Sequence, residues 1–142
     1  MDELNKAVLK AFATTFVYYY KAHQFHWNLK DKDFPQYHEF FGDIYSEVYD
    51  SVDVFAEKLR TLQIDAPTSL AEIVGLSAVT EKTAATKDEM VTQLYDDGEA
   101  VLATLKEAYN LCDLYSKFGF ENFIAERIDA HEKHNWMLRS CK

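Results

Sequence analysis

Apolar residues recur at spacings of three and four along most of the chain, which is the signature of amphipathic helices. Leu4, Val8, Phe12, Thr15, Tyr19 and Ala22 form the first such stripe, and no Gly or Pro interrupts residues 2–27. The pattern predicts a first helix from Asp2 to Trp27. Asn28 to Asp33 is polar and reads as a short turn, and Pro35 then sits where a first helical turn tolerates it. A second long helix is predicted from there to about Leu62, with Phe40, Ile44, Val48, Val52, Phe55 and Leu59 on one face. Residues 64–86 contain Pro67, Gly75 and several Ser and Thr, and read as a crossover with a short helix over Ser69 to Val74. A third helix is predicted over Lys87 to Lys117, with Gly119 as its terminator. The last runs from Glu121 to about Ser140, packing Phe123, Ile124, Ile128, Trp136 and Met137.

Short turn, long crossover, short turn describes two helical hairpins joined by one long connection. That is the ferritin-like form of the four-helix bundle, an all-α fold, in one domain over residues 1–142. The 142 residues fit one domain, and only 4 glycines and 2 prolines leave little turn material for a sheet fold.

Charge narrows the function. The balance of 15 Lys+Arg against 24 Asp+Glu gives a net charge of -9, the wrong sign for nucleic-acid binding through a basic face. No run reaches the ~18 apolar residues of a membrane span, and Met1-Asp2-Glu3 opens straight into a helical pattern. The expectation is a cytoplasmic protein without a leader. Cys112 and Cys141 lack metal or redox spacing and read as buried thiols.

Chemistry is sought among the polar residues. His26 ends the first predicted helix and His38 begins the second, so the short turn puts both imidazoles at one end of the hairpin. Asp53 and Glu57 lie four apart on one face of the second helix. Two histidines and two carboxylates suit iron, manganese or zinc. Taken singly, a helix-end histidine is a cap or a packed core residue, and an acidic i,i+4 pair is a solvated face. His38 and Asp53 are fifteen residues apart, about 22 Å along a helix, whereas metal–ligand bonds are about 2 Å long. One chain cannot bring these four residues to one ion. A two-fold dimer with antiparallel second helices can, and it would make two equivalent sites. An in-chain di-iron centre would need Glu-x-x-His motifs, and none of Glu47, Glu57, Glu72, Glu121 or Glu126 has His three residues on. The bundle interior is therefore expected to be apolar.

The string His23-x-x-His26-Trp27-Asn28, then His38-Glu39, then Asp53-x-x-x-Glu57, resembles the Dps-type mini-ferritins. The segment from Arg127 to Ser140 and the crossover Ala66-Pro67-Thr68-Ser69 with Leu76-Ser77 resemble the same family, so the likeness spans nearly the whole chain. The resemblance implies a hollow dodecamer built from two-fold dimers, which oxidises Fe(II) with peroxide or O2 and stores the ferric mineral. It implies that His26, with Asp53 and Glu57 of a partner chain, holds one iron. His38 would hold a second, bridged by Glu57, and Trp27 beside them would donate electrons to oxidant intermediates. Asp113 and Glu121 fall where the family lines an iron pore. The chain departs from the pattern at Gly42, where the family has a carboxylate four residues after the second histidine. Asp43 and Glu39 point about 100° away from that direction. Two alternatives follow: a DNA-protecting shell with secondary iron chemistry, which the acidic charge and the lack of a basic tail oppose, or an assembling relative whose oxidation is impaired at Gly42.

Overall fold

The computed structural model describes residues 2–142 and contains five helices: α1 (Asp2–Asn28), α2 (Phe34–Thr61), α3 (Leu70–Leu76), α4 (Lys87–Leu114) and α5 (Phe118–Ser140). No strand occurs among the described residues. The fold is all-α: two antiparallel hairpins, α1–α2 and α4–α5, joined by a crossover that carries α3. The two hairpins join chiefly through α1 and α4, and α3 lies against α1.

Local chemistry explains where the elements start. Ser69 caps α3, its hydroxyl accepting from the Glu72 N–H at 3.1 Å, while Glu72 reaches back to the Thr68 N–H. Thr86 and Glu89 repeat the arrangement at α4. Among the buried rings, Phe55 meets Phe12, Phe120 and Phe123 edge-on at 5.3–5.9 Å between centroids, tying α1, α2 and α5 together. Each such ring contributes about 1.5–3 kcal/mol by leaving water.

Several expectations are corrected. α4 stops at Leu114, and Gly119 lies inside α5 rather than ending the helix before it. The left-handed residue that closes α4 is Ser116, at φ 57°, and Lys117 N–H donates to the Cys112 carbonyl at 2.7 Å. Gln63, at φ 63°, closes α2 the same way, with Ile64 N–H donating to Leu59 O at 3.1 Å. Both are Schellman-type ends without glycine. Trp136 is 56% exposed and Met137 also faces outward, lining a groove with Tyr37, Phe40 and Cys141 instead of the core. Cys112 is buried and its thiol is pushed up to about 11 by burial, but Cys141 is only half-buried.

The interior is not uniformly apolar either. Lys21 on α1 pairs with Asp97 on α4 at 2.6 Å, both largely shielded from solvent. Burial raises the Asp97 carboxyl, with Lys21 pulling the other way. On the other side of the bundle, Arg127 makes a two-point contact with the Glu47 carboxylate, and His134 Nε2 bonds the same carboxylate at 2.8 Å. Buried His131 lies against Arg127 and packs edge-on against Tyr18. Apolar periodicity cannot reveal this layer, because it counts where apolar residues recur and is blind to paired charges between them. The spacing Arg127, His131, His134 was the available signal, since i, i+4, i+7 is one helix face.

Candidate metal centre

α1 ends and α2 begins within a five-residue turn, so His26 and His38 meet across the hairpin. Their rings stack at 3.7 Å between centroids and 13° between planes. The anchoring is reciprocal. His26 Nδ1–H donates to the His38 carbonyl at 2.6 Å, and His38 Nδ1–H donates to the His26 carbonyl at 2.8 Å. Because carbonyls only accept, both Nδ1 atoms carry the hydrogen, and in the neutral form of each ring Nε2 keeps a free lone pair. That is the second-contact arrangement that orients metal-binding imidazoles. Phe34 packs on the outer side of His38 at 4.8 Å.

Gly42 lies one turn after His38 and directly beneath His26. A Cβ there would stand 3.1 Å from both Cε1 and Nδ1 of the His26 ring. Glycine at this position therefore does more than omit a carboxylate: it makes room for the imidazole.

Asp53 and Glu57 are exposed, about one and a half and two and a half turns beyond the middle of α2. A hydrogen bond from Asp53, then its charge, raises the Glu57 carboxyl above the usual carboxylate range. Two carboxylates competing for one proton are a pair short of a cation. Among the described residues no three His, Cys, Asp or Glu side chains converge within the chain. The histidine pair and the carboxylate pair are thus separate within one chain, as the helix length requires. They share one face of α2, however: at 100° per residue, His38, Gly42, Tyr45, Ser46, Tyr49, Asp53 and Glu57 fall within an arc of roughly 120°.

Around the histidines lies an aromatic cluster that sequence reading missed. His23 stacks on Tyr45 at 3.7 Å and 7°, and Trp27 lies 4.2 Å from His23. Tyr19 packs against Tyr49 at 4.9 Å, and its hydroxyl is 3.0 Å from His23 Nδ1. Tyr45 is 5.2 Å from His26. Trp27 and Tyr49 are 55% and 54% exposed, unusually open for such rings. Asp113, exposed, and Glu121, half-buried, flank the Tyr115–Lys117 turn far along the sequence from these histidines.

Comparisons with known proteins bear on the family and the fold. The family described as Ferritin, ferritin-like domain, matches residues 3–141. General stress protein 20U of Bacillus subtilis is 32% identical over 140 residues, covering 98% of this chain and 97% of the relative. DNA protection during starvation protein 2 of Bacillus anthracis is 28% identical over 141 residues, covering 99% and 94%. The crystal structure of Dps from Staphylococcus aureus superposes with a TM-score of 0.92 at 26% identity, covering 99% of this chain and 95% of that one. Dps from Vibrio cholerae, described as a member of a superfamily of ferritin-like diiron-carboxylate proteins, gives 0.92 at 24% identity over 98% and 88%, a likeness of fold. No helix among the described residues is long and apolar enough to cross a membrane.

Proposed function

We propose that this chain, which belongs to the ferritin-like domain family and is a mini-ferritin of the Dps type, is a ferroxidase that stores iron in a shell built from two-fold dimers. The observation that carries the reading is the His26–His38 pair, with both Nε2 atoms free, on the same α2 face as the unpaired Asp53–Glu57 carboxylates. Antiparallel apposition of two α2 helices about Ser46 brings each histidine pair to the carboxylate pair of the second copy. The exposed Trp27 and Tyr49 rings would be covered by the same contact.

In this reading Fe(II) is the substrate. His26 with Asp53 and Glu57 of the second copy binds it with one imidazole and two charged oxygen donors, a set suited to iron. His38 and a shared Glu57 offer a weaker second position. The electron leaves Fe(II) for peroxide or O2, and Trp27 is an electron donor to the oxidising species. Ferric product then hydrolyses and mineralises inside the shell, with a dodecamer as the expected closed form. Asp113 and Glu121, beside the α4–α5 turn, are proposed as carboxylates on the path by which iron is admitted.

Fe(II) oxidation followed by absorbance, with and without peroxide, tests the activity, and mass of the assembly tests the shared site. A monomer in solution would sink the shared-site mechanism. Relatives named for DNA protection favour a second reading, a shell that binds DNA. The charge of -9 per chain opposes it, and a gel shift at low and moderate salt, with and without divalent ions, separates the two. A shell that assembles but oxidises Fe(II) no faster than buffer would instead point to a relative impaired at Gly42.

A further inference from the structure

The buried group between α2 and α5 has the donors of a metal site, with a side-chain cation among them. Glu47 comes from α2, and Arg127, His131 and His134 come from one face of α5. Glu47 Oε1 lies 2.8 Å from His134 Nε2 and 3.0 Å from Arg127 Nη2. The same Nη2 lies 3.4 Å from His131 Nε2. A guanidinium only donates, so His131 turns the lone pair of Nε2 toward it. A carboxylate and an imidazole thus face one cationic nitrogen, and a second imidazole shares the carboxylate oxygen.

Bonds of about 2.1 Å at tetrahedral or octahedral angles put two donors of one ion about 3.0–3.4 Å apart. Glu47 Oε1 and His134 Nε2 already stand within a few tenths of an ångström of that spacing. One carboxylate with two imidazoles suits zinc, cobalt or iron. His131, His134 and Arg127 are all buried, so the donors are shielded from water. Arg127 Nε and His131 Nδ1 are buried without hydrogen-bond partners, so the guanidinium is held through its outer nitrogens alone. A surface cleft lined by Glu47, Asp50, Glu126 and Arg127 opens onto the group, and Asp50 and Glu126 are exposed carboxylates beside it. A divalent ion therefore has a way in and donors at its end. Arg127 denies it both space and charge balance, since a second cation beside one that already neutralises Glu47 is repelled. Across the bundle Lys21 neutralises Asp97 in the same way.

We propose that Arg127 is a specificity residue for metal: its guanidinium is a tethered cation that closes a divalent-metal site made by Glu47, His131 and His134 inside the bundle. Metal is then left to His26, His38, Asp53 and Glu57 at the subunit contact. That consequence rests on the reading above; the closed site does not.

The experiment uses the full chain in a His26→Ala, His38→Ala background, which removes the imidazoles of the inter-subunit position. Cobalt(II) is followed by its visible d–d absorption and zinc by calorimetry. With Arg127 present, neither ion should bind in the bundle. Arg127→Gln, which keeps a hydrogen-bond donor for Glu47, and Arg127→Ala should each gain one ion per chain, at least about tenfold tighter than any residual binding in the parent. Zinc should also raise their thermal midpoints. Adding Glu47→Gln or His134→Gln should abolish the gain, and Arg127→Lys, which keeps a positive charge, should show none. A variant that folds only when zinc is present supports the assignment. It is overturned if folded Arg127→Gln and Arg127→Ala take up no ion, if the gain survives Glu47→Gln, or if both variants fail to fold with and without zinc. Should the background bind cobalt as tightly as the unmutated protein, the inter-subunit reading falls, and the comparison across Arg127 still decides the closed site.

Discussion

His26 and His38 hold each other's ring through each other's backbone: each Nδ1–H donates to the other residue's carbonyl, at 2.6 and 2.8 Å. The bonds clamp the end of α1 to the start of α2, so the turn between them is braced by the candidate ligands themselves. Neither imidazole can rotate to offer Nδ1 to a metal without giving up a bond worth about 1 kcal/mol. Replacing His38 with Ala should therefore do two things. It should remove the weaker metal position outright, and it should lower affinity at the His26 position severalfold, because the His26 ring keeps its bond to the carbonyl of residue 38 but loses the imidazole stacked against it. Calorimetric titration with a redox-inert divalent ion reads both; an unchanged first position in His38→Ala would show that the clamp is dispensable.

Ser46 is exposed midway between the histidine and carboxylate pairs. On the proposed two-fold axis it faces its own copy. Ser46→Arg would put two guanidinium groups against each other, and like charges in an interface disfavour it strongly. The mass of the assembly should fall to that of monomers. Metal binding should fall with it, although His26, His38, Asp53 and Glu57 are all still present. A variant that keeps both its assembly and its metal would place the two-fold axis elsewhere.

The order of the helices and the meeting of His26 with His38 were legible in the sequence, because period and turn length decide both. Boundaries were less so where an unusual residue does a glycine's work. Ser116 and Gln63 occupy left-handed backbone at helix ends, and nothing in a serine or glutamine announces that. Tyr19 was visible only as one more member of the apolar stripe of α1, since a phenol reads as core at helical spacing. Its partner His23 becomes informative once Tyr45 of the next helix is stacked on it. The same holds for Glu47, Arg127 and His134: each is an ordinary charged position until the fold brings α2 against α5.

Left-handed backbone costs an L-residue about 1–2 kcal/mol, a cost glycine does not bear, though glycine loses more chain entropy on folding. Ser116→Gly and Gln63→Gly should each raise stability by up to about 1 kcal/mol. Both side chains are exposed, so the change sacrifices no buried contact. Urea midpoints at fixed protein concentration are the check, and a loss of stability in both would mean the two ends are held by something other than this backbone geometry.

Gly42 sets two demands against each other. Gly42→Asp adds the carboxylate that the second position lacks, on the His38 face. The new Cβ also lands 3.1 Å from the His26 ring, which must yield by a few tenths of an ångström and strain its bond to the His38 carbonyl. The unmutated protein should hold one metal tightly and a second weakly. Gly42→Ala should weaken the first severalfold and gain nothing, whereas Gly42→Asp should strengthen the second at the expense of the first. If the unmutated protein binds two irons equally tightly, another donor such as Asp43 serves the second position and Gly42 is not the limiting residue.

The paired charges between α2 and α5 make acid sensitivity predictable in sign. His131 is buried, and burial first, then the Arg127 charge, hold its imidazole well below the usual value of 6.5. His134 adds to the lowering, and Glu47 opposes it. The unfolded chain therefore binds a proton at His131 that the folded chain refuses, so stability is full above about pH 6.5 and falls as pH drops below it. Glu47 acts in the same direction lower down. Partial burial alone would raise its carboxyl, but hydrogen bonds from His134 and Arg127 and the Arg127 charge outweigh that and hold it well below 4.5. Its contribution is present above about pH 4.5 and is lost as pH falls from there toward its folded value. Stability should thus decline on acidification in two stages, the upper belonging chiefly to His131, with a smaller share from His23, whose imidazole partial burial and then the His26 charge also hold below 6.5. His131→Gln should flatten the upper stage and leave the lower one. Arg127→Met should destabilise the protein at neutral pH by a few kcal/mol, because it leaves Glu47 with one donor in place of two. Thermal midpoints across pH, at fixed protein concentration and with assembly mass monitored, decide it: a His131→Gln profile that parallels the unmutated one would assign the upper stage to another group.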